Sequence, residues 1–343
     1  TRRDVAEVFP EVIRQTERPL LRTAPAPLFL LSRLVREAGV KVVLTGEGAD
    51  EVFAGYDLFR EARVRRFWAR QPGSRLRPLL LERLYPWLAR SPVALRGPAR
   101  EFFGLGLERA SEPGFSHEPR WRSAVALQRL FSKELREKLA GRDSVAELLA
   151  SVPEELRTWH PLAQDQWFEL RTLLSSYLLS SQGDRMLMAH SVEGRFPFLD
   201  TAVVDLAAGL DPGLKLRVLD EKHVLKRAAA GLVPAEILAR KKQPYRAPDA
   251  LAFAVDPPEW ARQVLAADRV RDAGVFDPAG VGQLWAKCRA RAPAGQLSNA
   301  DNMALVGVLS TQLLFELLVR AAPEVPVVEV PRVIDRLRQE EAP

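Results

Sequence analysis

Three carboxylates and two glycines lie within one short segment of this chain, T-G-E-G-A-D-E at residues 45–51. Glycine has no Cβ, so Gly46 and Gly48 allow the backbone to approach a ligand closely. Three acids at this spacing repel one another and would repel a phosphate, but a hard cation such as Mg²⁺ removes that conflict because carboxylate and phosphate oxygens can share it. The segment therefore predicts a metal-bridged nucleotide or pyrophosphate site. The alternative is a solvated acidic turn, with Asp50 near the N-terminus of the next helix.

The residues before this segment predict the element that positions it. Residues 40–44, V-K-V-V-L, form a short apolar run that is largely β-branched. Such a run favours a strand that is buried on both faces, as in a parallel sheet. Ligands of open α/β sheets bind outside the carboxyl ends of the strands, so the acidic segment would lie at the rim of the sheet. No other part of the sequence predicts a strand as strongly.

The remainder of the sequence predicts helices. Apolar spacing places them at residues 4–15, 28–38, 164–179, 201–206, 221–230 and 298–319. Residues from about 60 to 160 are rich in Arg, Leu and Pro, and we interpret them as a helical insertion. The predicted organisation is one α/β domain over residues 1–321, predominantly helical and interrupted by the insertion. A Pro-rich tail follows at residues 322–343.

Three further motifs follow the acidic segment. They are G-D-R-M-L-M-A-H-S-V-E-G-R-F-P-F-L-D at residues 183–200, E-K-H-V-L-K at 221–226 and R-K-K-Q-P-Y at 240–245. Together with T-G-E-G-A-D-E-V-F-A-G-Y at residues 45–56, the sequence resembles the synthetase domain of the glutamine-hydrolysing asparagine synthetases. That family shows S/T-G-E-G-x-D-E-x-F-x-G-Y, then D-R-x-x-M-x-x-S-V-E-x-R-x-P-F-L-D, then E-K-x-x-L-R/K. Three separated motifs in one order seldom coincide by chance.

The resemblance implies roles for the residues of the acidic segment. Thr45 and Gly46 match the positions that contact the adenosine phosphate part of ATP. Glu47 matches the catalytic carboxylate associated with formation and turnover of an acyl-adenylate. Asp50, with Glu51 behind it, matches the acid that holds Mg²⁺ and pyrophosphate.

The resemblance also implies a catalytic role for Lys222, which matches the lysine that meets the pyrophosphate or the intermediate. Its short helix is basic, as suits an element that faces phosphate. Arg195 and Lys242 are candidates for substrate binding. The alternative for Arg195 is a structural ion pair with Glu193, and the alternative for Lys242 is a solvated surface position.

The fold implied by the resemblance is an α/β domain of the ATP-pyrophosphatase type (adenine nucleotide alpha-hydrolase-like), with only part of its parallel sheet in this chain. The implied reaction converts aspartate, ATP and ammonia into asparagine, AMP and pyrophosphate through β-aspartyl-AMP, with ATP and Mg²⁺ as cofactors. Adenylation gives the carboxylate a good leaving group and so divides one difficult step into two easier ones. The ammonia would come from glutamine through an N-terminal glutaminase domain.

Two parts of the family pattern do not occur in these 343 residues. They are the phosphate-binding loop S-G-G-x-D-S and the N-terminal nucleophilic cysteine. The single cysteine, Cys288, lies in a helical stretch beside basic residues, and we interpret it as a bystander. We therefore expect the chain to be the C-terminal part of a longer enzyme and to make no asparagine on its own.

The composition excludes several classes of protein. The chain has 50 Lys and Arg against 44 Asp and Glu, a net charge of +6, with both signs interleaved and no basic run long enough for a nucleic-acid arm. One cysteine rules out a disulfide within the chain and a Cys-rich zinc site. The uninterrupted apolar stretches are far shorter than the ~20 residues that cross a bilayer. We expect a cytoplasmic protein without a membrane span, and the sequence leaves a homo-oligomer open.

Two alternative functions remain at this point. Relatives of the asparagine synthetases activate other carboxylates, as β-lactam synthetases and lasso-peptide cyclases do, but there the position of Glu47 is often a different residue. The second alternative is a non-catalytic basic helical module that binds a protein or a nucleic acid. The carboxylates of the acidic segment argue against a phosphate backbone as its ligand.

Overall fold

The computed structural model describes residues 1–86, 93–240, 242–243, 245, 247–295 and 297–321. The predicted Pro-rich tail at residues 322–343 lies outside the described residues.

Helices make up most of the described chain, as predicted. The α-helices are α1 Arg2–Thr16, α2 Pro25–Glu37, α3 Ala49–Val52, α4 Asp57–Ala69, α5 Leu81–Leu84, α6 Val93–Gly104, α7 Glu118–Val125, α8 Lys133–Lys138, α9 Ser144–Ala150, α10 Pro161–Glu169, α11 Arg185–Met188, α12 Thr201–Gly209, α13 Pro212–Lys215, α14 His223–Ala228, α15 Ala235–Leu238, α16 Leu251–Ala254, α17 Glu259–Val264, α18 Ala267–Ala273, α19 Pro278–Arg291 and α20 Asn299–Leu314. Two π-helices, Leu170–Asp184 and Phe315–Arg320, continue α10 and α20. The 3₁₀ turns are Arg77–Leu80, Leu107–Arg109, Ala126–Leu130, Glu154–Thr158, Pro197–Leu199 and Ala292–Ala294.

The sheet within the described residues has two short parallel strands. β1 (Val42–Leu44) pairs with β2 (Glu193–Arg195), in a register that sets Val43 opposite Gly194. The prediction of β1 is confirmed, but the prediction that it is buried on both faces is wrong. Val42 is 40% exposed and Leu44 is 73% exposed, because the described helices leave the faces of this narrow sheet incompletely covered.

The main hydrophobic core surrounds α20. Its residues Leu305, Val306 and Leu309 are fully buried, and α1 and α19 pack against the helix. From Asn299 to Arg320 the two helical segments run for 22 residues with a mean hydropathy of 1.6, which by length and composition alone would suffice to cross a membrane. Among the described helices no other passes that test. Burial in the core accounts for the apolar character of this helix.

The described part of residues 60–160, the region predicted as an insertion, is largely helical, and the buried guanidinium of Arg65 connects α4 to residues 103–115. This group donates hydrogen bonds to the carbonyl oxygens of Phe103 at 2.9 Å, Phe115 at 2.9 Å and Leu105 at 2.6 Å. Its carbon also lies 4.1 Å from the centroid of the Phe115 ring. Burial lowers the pKa of Arg65 to about 10. The limits of the insertion as a domain feature stay a prediction.

Candidate functional site

The acidic segment begins where β1 ends, as predicted. The amide of Thr45 donates to the carbonyl oxygen of Arg195 at 2.9 Å, so the pairing of β1 with β2 continues into the segment. Gly48 has φ +92°, and a Cβ there would lie 2.3 Å from Cδ2 of Leu199. Only glycine fits this position, which turns the chain directly into α3. Asp50 and Glu51 are in the first turn of α3.

The carboxylate of Asp50 lies between two lysines that are distant in sequence. Nζ of Lys222 donates to Oδ1 at 3.0 Å, and Nζ of Lys242 donates to Oδ2 at 2.5 Å. The side chain of Asp50 is 14% exposed and each lysine side chain is 24% exposed. One carboxylate between two ammonium groups leaves an excess of one positive charge at a partly desolvated place. Such a place suits an anion that carries more than one negative charge.

Lys222 adopts a backbone conformation that is unusual for a residue with a side chain. Its φ is +52°, in the left-handed region, immediately before α14. The preceding Glu221 is buried, and its carboxylate pairs with Arg60 at 3.2 Å and with Lys226 at 3.3 Å. Non-glycine residues in this region persist where the surroundings hold them, and they cluster at functional sites. The buried Glu221 provides that anchor.

Gly55 lies directly against the side chain of Asp50. A Cβ at position 55 would lie 1.9 Å from Oδ1 of Asp50, and the amide of Gly55 donates to the backbone oxygen of Asp50 at 2.7 Å. Any side chain here would displace the carboxylate from the two lysines. The glycine at this position of the motif is therefore required by the geometry of the site.

We expect Gly55→Ala to reduce catalysis while leaving a folded protein. The added methyl group would shift the Asp50 carboxylate, and misplacement of a site group by about 1 Å costs on the order of 10- to 100-fold in rate. The measurement is ATP–pyrophosphate exchange by the complete natural protein, with Gly73→Ala as the matched control, because nothing lies within 4 Å of a Cβ at Gly73. Wild-type exchange by Gly55→Ala would contradict the placement of Asp50.

Glu51 does not join Asp50 at the site, so its prediction as a metal ligand is not supported. Its side chain is buried, with a relative exposure of 1%, and accepts a hydrogen bond from the Tyr56 hydroxyl at 2.7 Å. The amide of Gln166 donates to the backbone oxygens of Glu51 at 2.6 Å and Val52 at 2.9 Å. Adjacent residues of a helix point about 100° apart, so when Asp50 faces the lysines, Glu51 faces the interior. Burial raises the pKa of Glu51.

This raised pKa predicts how Glu51→Gln changes stability with pH. The folded state favours the protonated acid, so ionisation costs stability as the pH rises from the ordinary pKa of 4.5 through the raised value. Glutamine has no such cost. The unfolding free energy of the variant relative to wild type should therefore increase from pH 5 to pH 8 by on the order of 1 kcal/mol. Urea denaturation at several pH values tests this, and an unchanged difference would contradict a buried, perturbed carboxyl.

The other predicted residues of the segment are free to meet a ligand. Glu47 is half-buried and makes no hydrogen bond or ion pair with the described residues. Oγ1 of Thr45 is buried and finds no partner among them either. Gly46 is exposed, and nothing lies within 4 Å of a Cβ built there. Since buried hydroxyls are usually hydrogen-bonded, Thr45 has an unused donor beside the site.

Arg195 forms an ion pair with Glu193, which was the alternative to substrate binding. Its Nε lies 2.7 Å from Oε1 of Glu193 on the same strand, and both side chains are more than half exposed. The described geometry therefore assigns it a partner on β2, and substrate binding by Arg195 stays a prediction.

The described residues offer few carboxylate ligands for Mg²⁺ at this site. Within the described ranges, no group of three or more His, Cys, Asp or Glu residues could hold a metal ion. Asp50 is the one predicted metal ligand whose carboxylate reaches the site. Mg²⁺ in proteins is usually held by one or two carboxylates together with substrate phosphates and water. These residues fit Mg²⁺ that arrives with a phosphate ligand.

Sequence reasoning missed the parts that Gly55 and Tyr56 play in the site, and it missed the contact between Lys242 and Asp50. Lys242 shares Asp50 equally with Lys222, although the sequence suggested it only as a substrate contact. Its Nζ also lies 5.3 Å from the centroid of the Tyr56 ring, close enough for a cation–π interaction. The motif residues G-Y at positions 55–56 were the available signal for Gly55 and Tyr56. Nothing in the sequence indicates that Lys242 meets a residue 192 positions earlier.

Comparison with known proteins gives one family and several relatives. The family model described as asparagine synthase matches residues 1–316. The chain is 28% identical over 257 residues to asparagine synthetase (glutamine-hydrolysing) 1 of Bacillus subtilis, covering 75% of this chain and 38% of that protein. It is 33% identical over 266 residues to a putative asparagine synthetase (glutamine-hydrolysing) of Mycobacterium tuberculosis strain H37Rv, covering 74% and 35%. It is 26% identical over 245 residues to amidase chry2 of Gibberella zeae, covering 64% and 34%. The chain thus spans between 34% and 38% of the length of these relatives.

Proposed function

Because the chain belongs to the asparagine synthase family, we propose that it carries the amide-forming site of an ATP-dependent ligase that converts aspartate into asparagine. The observation that carries the proposal is the Asp50 carboxylate held between Lys222 and Lys242 at the carboxyl end of β1. Two relatives are named as glutamine-hydrolysing asparagine synthetases, which supports aspartate as the acid and glutamine as the source of ammonia.

In the first step, an oxygen of the β-carboxylate of aspartate attacks the α-phosphorus of ATP. The bond from that phosphorus to the oxygen that bridges to the β-phosphate breaks, and pyrophosphate leaves. Lys222 and Lys242 would donate hydrogen bonds to this leaving group and stabilise the negative charge that develops on it. Asp50 already fixes both ammonium groups in the absence of ligand, so little reorganisation is needed when the charge appears. Mg²⁺, when bound beside Asp50, would supply further neutralisation of the pyrophosphate.

In the second step, ammonia attacks the acyl carbon of β-aspartyl-AMP, and AMP leaves with the electron pair of the acyl–oxygen bond. The attacking nitrogen must then lose a proton. We assign Glu47 to this stage, because its carboxylate has no partner among the described residues and the residue lies three positions after the end of β1. Thr45 Oγ1, an unused hydroxyl, would contact the phosphate of the nucleotide. Glutamine would supply the ammonia through a glutaminase domain.

The test is ATP–pyrophosphate exchange by the complete natural protein, in which labelled pyrophosphate returns to ATP only if an acid is adenylated. We expect exchange that depends on aspartate and Mg²⁺. The assay is run with a panel of acids, including glutamate and β-amino acids of the kind that ring-closing synthetases use. Exchange with another acid and none with aspartate would refute the substrate. No exchange with any acid would refute adenylation itself.

A further inference from the structure

A cavity of about 430 Å³ is lined by residues that directly precede Lys222 and by residues that shortly precede Lys242. It is not part of the Asp50 site, because neither lysine nor Asp50 lines it. Charged side chains dominate its walls: Arg60, Arg217, Asp220, Glu221, Lys226 and Arg240. A volume of this size is within the range of small-ligand sites.

Both acids of the cavity already have cationic or imidazole partners. Glu221 pairs with Arg60 at 3.2 Å and with Lys226 at 3.3 Å. Asp220 pairs with Lys226 at 2.8 Å and with His223 at 2.7 Å. Neither acid therefore offers a free charge to the remaining cations.

The other two cations of the cavity have no such partner. Neither Arg217 nor Arg240 forms an ion pair with any residue that the structure describes. Arg60 is 7% exposed, pairs also with Asp57, and its Nε is buried with no acceptor in the same part of the chain. The cavity thus combines an excess of positive charge with guanidinium donors that the fold does not use. This combination is attractive to an oxyanion.

The backbone fixes one of the free arginines in place. Arg217 and Asp220 exchange backbone hydrogen bonds of 3.1 Å and 2.9 Å across a tight turn, in which Val218 has φ +57°. Arg217 is five residues before Lys222, and Arg240 is two residues before Lys242. The two free guanidinium groups therefore sit on the same two segments as the two lysines of the Asp50 site.

We propose that this cavity is a second anion site, which binds a small oxyanion of the phosphate class between Arg217 and Arg240. An anion held there connects the segment before Lys222 to the segment before Lys242 and so steadies both lysines. This anion site is distinct from the Asp50 site, and all the residues that we assign to it belong to this chain. Inorganic pyrophosphate is a suitable probe, because it carries several negative charges and its oxygens can accept hydrogen bonds from more than one of the arginines that line the cavity.

The experiment must separate this cavity from the Asp50 site, which is also expected to attract pyrophosphate. Titration calorimetry of pyrophosphate is therefore done on the complete natural protein in a Lys222→Gln/Lys242→Gln background. We expect binding to persist there. Adding Arg217→Gln and Arg240→Gln should weaken it by about tenfold or more, since both substitutions remove charge-assisted hydrogen bonds to the anion. Circular dichroism verifies that the variant is folded, which we expect because both arginines are exposed.

The matched control removes two exposed arginines that do not line the cavity, by Arg33→Gln and Arg36→Gln in the same background. Pyrophosphate affinity that falls equally in the control would show a nonspecific charge effect and overturn the proposal. Unchanged affinity after loss of Arg217 and Arg240, or no binding in the lysine-deficient background, would overturn it as well. Titration with aspartate distinguishes the ligand class, because preferential binding of the dicarboxylate would refute a phosphate site.

Discussion

Replacing either Lys222 or Lys242 by methionine in the complete natural protein should lower aspartate-dependent ATP–pyrophosphate exchange by about 100-fold or more, with similar losses for the two. Each ammonium group lies within hydrogen-bond distance of the same Asp50 carboxylate, at 3.0 Å and 2.5 Å. Since both approach one place from different segments, neither can take over the position of the other. Each substitution therefore removes one charge-assisted hydrogen bond to the departing pyrophosphate.

The comparison variant for this prediction is Lys133→Met, whose side chain is 80% exposed and forms only a surface pair with Glu137 at 3.8 Å. It should exchange pyrophosphate at the wild-type rate. A normal rate for Lys242→Met beside a large loss for Lys222→Met would show that Lys242 only neutralises Asp50. The roles assigned to the two lysines would then differ, and the site would resemble the simpler prediction from sequence.

A double-mutant cycle separates catalysis from simple charge pairing. Asp50→Asn removes the acid that both lysines share, so its effect on exchange should not add to the effect of either lysine substitution. Additive losses would indicate that Asp50 and the lysines act at independent places. Thermal unfolding of each variant accompanies the cycle, so that a fall in activity can be compared with any fall in stability.

The sequence predicted the residue types of this site better than their arrangement. The acidic segment and the basic motifs indicated which side chains could meet a phosphate. They did not indicate that Asp50 would lie between lysines 172 and 192 residues later, because that proximity depends on how several helices pack. The sequence also did not distinguish between the two adjacent acids, Asp50 and Glu51. Which of Asp50 and Glu51 faces the ligand is decided by the rotation of α3, and a four-residue helix has too little apolar pattern to reveal it.

The elements show the same division between local and long-range information. Long periodic segments such as α1 and α20 were predicted to within a few residues, and Asp200 caps α12 through the amide of Ala202 at 2.9 Å. β2 was missed, because E-G-R at residues 193–195 has no β-branched or alternating pattern. It becomes a strand only because β1 lies beside it. The exposure of β1 could not be predicted either, since burial of a strand depends on what covers the sheet.

The largest stability effect should come from Arg65→Met, which keeps much of the side-chain volume but removes the guanidinium. Arg65 is fully buried, and its three donors reach three backbone carbonyls, of Phe103, Leu105 and Phe115. Methionine would leave all three oxygens without these donors, and the hydrogen bonds to Phe103 and Phe115 are buried. Each unsatisfied buried group costs about 1–3 kcal/mol, so we expect a loss of about 3–5 kcal/mol after partial relaxation.

Urea denaturation of this chain measures the effect, because the assay needs no substrate and no other domain. Arg70→Met is the matched control, since Arg70 lies directly after the same helix, is exposed and makes no ion pair with the described residues. Its unfolding free energy should stay within about 0.5 kcal/mol of wild type. A loss below about 1 kcal/mol for Arg65→Met would mean that water or rearranged helices satisfy the carbonyls. In that case the buried arginine would not be what holds residues 103–115 to α4. The same helix carries Arg60, which pairs with Glu221 next to Lys222.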